Sequence, residues 1–138
     1  MEDTQYLHSE VTNLILQAFY KVYNTLGMGF NLPAYKNAMI IEMSNIGLKS
    51  ESGKNISIFY NGFCIDEIKV DIIVNGKVFV VIRNDEKIEE DEIQKMFKIL
   101  QSSELEVGIM LNFGKMPEHK RKYYPNDKTK LPANPFSE

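Results

Sequence analysis

The 138-residue sequence predicts an α/β domain on three observations. Apolar residues recur at helical spacing between Val11 and Leu26, and two Asn-Gly dipeptides punctuate β-rich runs between Ile56 and Arg83. A second helical repeat from Ile93 then leads into the short apolar run "VGIMLNF". The expected order is helix, helix, three strands, helix, strand.

Val11, Leu14, Ile15, Ala18, Phe19, Val22 and Leu26 line one face of the first helix, with Ser9 as its N-cap and Gly27 and Gly29 breaking the pattern. Between Pro33 and Gly47, "PAYKNAMIIEMSNIG" carries proline near a helix start and glycine just past its end, with a broad apolar face of Ala34, Ala38, Met39, Ile41 and Ile46. "ISIFYNG" and "CIDEIKVDIIVNGKVFVVIR" read as three antiparallel strands, because Asn-Gly favours tight hairpin turns. Ile93, Met96, Phe97 and Leu100 mark the third helix, whose acidic first turn suits the helix dipole, and "VGIMLNF" is a short buried strand. From Gly114 onward, Pro117, Pro125, Pro132 and Pro135 predict an irregular tail. A single domain with a core at about 8–114 and a tail at about 115–138 is therefore expected, without repeat or linker.

With 43% hydrophobic and 25% charged residues, the chain is large enough for one packed core. A lone Cys64 excludes an intramolecular disulfide, and the lack of Cys/His clusters excludes structural zinc. Without a histidine beside it, Cys64 is expected to pack rather than react. The N-terminal "MEDTQYLHSE" lacks the basic-then-apolar order of a secretory signal, and no run reaches membrane-spanning length. A soluble, cytoplasmic protein without membrane contact is expected. A net charge of -3 gives no general attraction for nucleic acid, yet "DEKIEEDE" is acidic and "KMPEHKRKYYPNDKTK" basic.

The run "KVFVVIRNDE" poses the functional question. A strand apolar at consecutive positions is covered on both faces, so Arg83 at its end must reach solvent, a partner or a site. "LGMGFNLPAYKNAMIIEMSNIGLKSE", "VDIIVNGKVFVVIR", "EIQKMFKIL" and "EVGIMLNFGK" together resemble the GxxExxY proteins, a group within the PD-(D/E)XK nuclease-like superfamily, over roughly residues 8 to 122. The resemblance implies a restriction-endonuclease-like core, a central mixed sheet of about four strands flanked by helices. It also implies a site where a helix Glu, a strand Asp, a Glu-x-Lys and a helix Gln surround a divalent metal and a phosphodiester. Hard carboxylate oxygens hold Mg²⁺, and metal and cation offset charge building on the phosphate.

By that resemblance Gly29 and Tyr35 are the ends of the GxxExxY motif, Asp71 is the metal-binding Asp, and Gln94 the helix Gln. Leu32 and Val81 occupy the two expected Glu positions, and Arg83 replaces Lys. Aliphatic side chains cannot bind a hard cation, and a guanidinium clamps phosphate but does not exchange protons. Leu32 also precedes Pro33, which disfavours helical geometry at residue 32. The implied function is a nuclease-like domain that has lost catalysis and is retained for binding, assembly or a structural role, without a cofactor. The alternative is a Mg²⁺- or Mn²⁺-dependent nuclease using Asp71, weakly metal-binding by itself, with a relocated carboxylate, Asp85 or Glu67. A regulatory protein partner or a homo-oligomer also fits a degenerate enzyme fold.

Each residue also has a plainer reading. Asp71 is expected to pair with Arg83 or Lys69, Gln94 to be a solvated helix residue, and Tyr35 a core-edge aromatic with a wet hydroxyl. Gly27 and Gly29 serve as turn glycines. His8 and His119 are surface residues far from any nucleophile. Lys120, Arg121 and Lys122, with Arg83, offer a weak grip on nucleic acid. If Asn75-Gly76 forms a two-residue loop, Asp71 lies opposite Val80 and Arg83 points to the other face. A three-residue or bulged connection places Asp71 opposite Val81, on the face of Arg83. Asp85 continues that face.

Overall fold

The computed structural model describes residues 8–126. Helix α1 (Ser9–Leu26) buries Ile15, Ala18, Phe19 and Val22, and Gly27 closes it through an N–H bond of 2.8 Å to Tyr23 O. Ser9 is the first helical residue rather than the cap; His8 takes that place with positive φ.

Helix α2 (Leu32–Asn45) starts one residue earlier than expected. Asn31 is extended and Leu32 is the first helical residue, with Pro33 in the first turn, where its missing N–H costs nothing. Its buried face is Tyr35, Met39 and Met43, one residue per turn, while Ile41 is 60% exposed. Of the expected apolar face, Met39 is buried and Ala38 and Ile46 pack against the core, while Ala34 and Ile41 are exposed; apolar residues surround this helix, so periodicity alone does not single out the buried stripe.

The expected three-stranded meander divides into two sheets. Strands β1 (Ser50–Ser52), β4 (Ile72–Val74), β5 (Val78–Arg83), β6 (Val107–Phe113) and β7 (Pro117–Tyr123) form a five-stranded mixed sheet in the order β1-β4-β5-β6-β7. Strands β2 (Asn55–Tyr60) and β3 (Phe63–Lys69) form a separate antiparallel ribbon joined by Asn61-Gly62, both at positive φ. The run read as one strand from Cys64 to Val74 breaks at Val70 and Asp71. Cys64 is exposed on the ribbon, not packed.

Between β5 and β6, α3 (Glu90–Ser102) makes the parallel crossover, and β7 returns antiparallel. Within the expected irregular tail, Pro117–Tyr123 is instead a regular edge strand, and the part from 127 to 138, with Pro132 and Pro135, lies outside the described residues. The strand's charges at successive positions, "EHKRK", conceal the two-residue alternation.

Two cores sandwich the sheet. Val78, Val80 and Ile82 face α1 and α2, whereas Phe79 and Val81 face α3 and Ile56 of β2. This double cover explains the uninterrupted apolar run of β5. Gly108 lies under α3's packing, where an added Cβ would stand 2.6 Å from the Phe79 ring. Among the described residues no helix is long and apolar enough to cross a membrane.

Candidate functional site at the end of β5

Val74 pairs with Val78, so the β4–β5 connection holds three residues. Ile72 opposite Val80 then sets Asp71 against Val81, on the face that carries Arg83. Of the two registers considered, this is the one that sets Asp71 and Arg83 on one face. Asp71, however, does not hold Arg83. Its Oδ2 accepts the Ile82 backbone N–H at 2.7 Å, and Asp71 forms no ion pair with Arg83 or Lys69.

Arg83 turns toward α3 instead. Its guanidinium donates to Asp85 Oδ2 at 3.0 and 3.1 Å and to Glu92 Oε2 on the first turn of α3. Glu92 has two duties, because its other oxygen accepts the Glu89 N–H in the capping box that starts α3. The expected Arg83–Asp71 pair is therefore corrected to an Asp85–Arg83–Glu92 clamp. Local geometry decides it: Asp85 follows two residues on, and the helix start sets Glu92 beside the strand end.

Asp85 itself is fixed by a buried amide. Asn112 Oδ1 accepts the Asp85 N–H at 2.9 Å, and Nδ2 donates to Asp85 O at 3.0 Å and Glu118 Oε1 at 3.4 Å. Glu118 Oε1 also accepts the Ile88 N–H at 3.0 Å. Gly114 lets the same loop approach, since a Cβ there would meet Asp85 O at 2.4 Å. Sequence reasoning missed Asn112, Glu118 and Glu92. A polar residue inside "VGIMLNF" was the available signal for Asn112.

The loop before α2, on the other side of β5, is shaped by Tyr35. The tyrosine is fully buried, stacked on Phe113 with ring centroids 4.1 Å apart. Its hydroxyl donates to Gly27 O at 2.6 Å and accepts the Phe30 N–H at 3.1 Å, so it is satisfied by backbone rather than wet. Gly29, at φ 113°, completes the loop, and Asn84 Nδ2 donates to Phe30 O at 3.1 Å. Leu32 lies exposed at the α2 start. Between this loop and Asp85 opens a cleft of about 420 Å³, lined by Met28, Phe30, Asn84, Glu86 and Lys115 among others.

Gln94 is exposed and bonds Glu90 one turn earlier at 3.1 Å, the plain helix reading. Glu67 lies on the separate ribbon and accepts from Asn55 at 3.3 Å. His8 approaches Glu106 at 3.4 Å. Among the described residues, no group of three or more His, Cys, Asp or Glu side chains is arranged to hold a metal. The residues do not fit the Mg²⁺ of the expected site. Asp71 already accepts a backbone N–H, its cross-strand neighbour is Val81, and Asp85 and Glu92 are both engaged by the Arg83 guanidinium.

His119 is half-buried, its Nδ1 3.2 Å from Tyr20 Oη. Burial first, and then the charges of Lys120 and Arg121, hold its pKa below the ordinary 6.5. The folded state therefore binds fewer protons than the unfolded chain, and stability falls as pH drops from about 6.5 toward the lowered value. In a urea series from neutral to about pH 5, His119→Gln is expected to flatten that loss. An unchanged acid-side slope would exclude His119 as its source.

The sequence matches the PD-(D/E)XK nuclease superfamily over residues 9–123, and the chain belongs to it. The mixed sheet with helices on both faces is the architecture that membership requires. A solved chain titled "Crystal structure of SSO0001" is similar at 17% identity, over 85% of this chain and 68% of that one, with a TM-score of 0.38. No curated protein matches.

Proposed function

We propose that this chain is a PD-(D/E)XK-fold domain of the GxxExxY type that binds without metal-dependent cleavage. The observation that carries the reading is the clamp: Arg83, which the resemblance sets at the catalytic-lysine position, is paired with both Asp85 and Glu92. Val81 stands where a second metal carboxylate would be. Gly29 and Tyr35 support the finer grouping, since both have structural work in shaping the loop before α2.

The competing reading, an active nuclease using Asp71 with Asp85 or Glu67, draws no support from these positions. Asp85 is spent on Arg83, and Glu67 lies on the other sheet. A hard divalent cation needs several oxygens, and Asp71 alone would bind it weakly.

The test is a cleavage assay on single- and double-stranded DNA and RNA with Mg²⁺ or Mn²⁺, alongside calorimetric titration of each metal. No metal-dependent product and no saturable metal binding at Asp71 are expected. Turnover that Asp71→Ala abolishes would overturn the proposal.

A further inference from the structure

The basic residues near the C-terminus do not act as one cluster, because alternation along β7 divides them. His119 and Arg121 face α1, where Arg121 donates to Thr12 Oγ1 at 2.8 Å. Lys122 faces α3, its Nζ 5.7 Å from the Phe97 ring centroid, and Lys120 shares that face by the two-residue period. Phe97 in turn meets Tyr124 edge-on at 5.7 Å. On α3, Lys98 belongs to the stripe Gln94, Phe97, Lys98 and Gln101, spaced i, i+3, i+4, i+7. That stripe carries the aromatic ring that touches β7.

We infer that the seam between β7 and the C-terminal half of α3 binds single-stranded nucleic acid, with Lys98, Lys120 and Lys122 on phosphates and Phe97 beneath a base. Charge complementarity supports this occupant. None of the three lysines forms an ion pair within the described residues, although the protein as a whole is acidic. The acid sharing their face of β7, Glu118, is engaged by the Ile88 N–H and Asn112. The acids of α3 sit in its first turn, leaving no acid between Ile93 and Ser103. Half-buried aromatic rings beside cations suit splayed bases rather than a closed duplex. The seam deepens the reading of a binding domain by naming its partner, and it does not use the Asp71–Arg83 position.

Fluorescence anisotropy with a labelled poly(dT) of about 20 nucleotides, in EDTA, reads binding without cleavage. Three phosphate contacts predict a log–log salt slope of about -2. Lys120→Gln with Lys122→Gln is expected to weaken binding about tenfold at low salt and reduce the slope by about 1.4. Phe97→Ala should weaken binding while leaving the slope unchanged. Lys77→Gln, at an exposed cation in the β4–β5 turn outside the seam, should leave binding intact. Binding unchanged in the lysine pair would overturn the seam, as would equal affinity for a duplex of the same length that is insensitive to Phe97→Ala. Circular dichroism confirms that each variant is folded. Metal-dependent cleavage in the separate assay would overturn catalytic loss without touching the seam, so the two proposals fail independently.

Discussion

Tyr35→Ala is expected to lose about 4 kcal/mol of folding stability, the largest effect of any single truncation considered for this chain. The ring is fully buried and stacked on Phe113, whose own ring meets Phe19 edge-on at 4.9 Å. Removing it opens a cavity between α1, α2 and β6 and deletes the tie that shapes residues 27–30. Tyr35→Phe separates the two contributions. It keeps the stack but removes one acceptor and one donor, leaving Phe30 N–H and Gly27 O without this partner, at about 1–2 kcal/mol. Urea denaturation of both variants checks this. If Tyr35→Phe costs as much as Tyr35→Ala, the ring's packing is not what matters; if Tyr35→Phe costs nothing, the hydroxyl does not hold the loop.

This residue also shows what the sequence reveals and what it conceals. Its place near the start of α2 was legible, but its burial was not, because a tyrosine in an all-round apolar helix gives no sign of which side is buried. The helices α1 and α3 were readable from clear apolar stripes. Strand β5 was readable as doubly covered from five consecutive apolar residues. The break at Val70 and Asp71 was not, since the apolar alternation runs through it and only tertiary packing sends β3 away from the sheet. Strand β1 is three polar residues, and β7 carries four charged residues and a histidine among its seven positions, so neither carries a hydrophobic period.

The candidate site follows the same division. The hairpin rule reduced the register to two choices, and the three-residue loop selects the one that aligns Asp71 with Val81. Ion pairing went elsewhere because a sequence does not show how a helix start meets a strand end. Glu92 is nine residues from Arg83 along the chain, with a bend and a capping turn between. Asp71 was drawn to a backbone N–H instead, which fixes a carboxylate at a strand margin without a cation.

Asn112→Asp is the second large expected effect, about 3 kcal/mol or more of lost stability at neutral pH. Asn112 is fully buried, and its amide is read in a fixed sense: Oδ1 accepts the Asp85 N–H, while Nδ2 donates to Asp85 O and Glu118 Oε1. An aspartate keeps the first bond but sets an acceptor against two acceptors, one of them the Glu118 carboxylate. Burial and that neighbouring charge raise the introduced carboxyl's pKa in the folded state. The folded variant then binds more protons than its unfolded chain, so its stability falls as pH rises from the ordinary carboxylate range through the raised value. The deficit relative to wild type is thus smaller near pH 4–5 than at pH 7. Asn112→Ala carries no such titration: it leaves Asp85 without its buried partner at every pH, and its deficit should be flat. Urea denaturation of the two variants across this range distinguishes them. A pH-independent deficit for Asn112→Asp would mean that the side chain escapes to water and that the buried amide does not hold the Asp85 loop. If the deficit is pH-dependent as expected, the amide that anchors Asp85 also sets the position of the carboxylate that neutralises Arg83. The end of β5 is then built as a structural clamp from the interior outward.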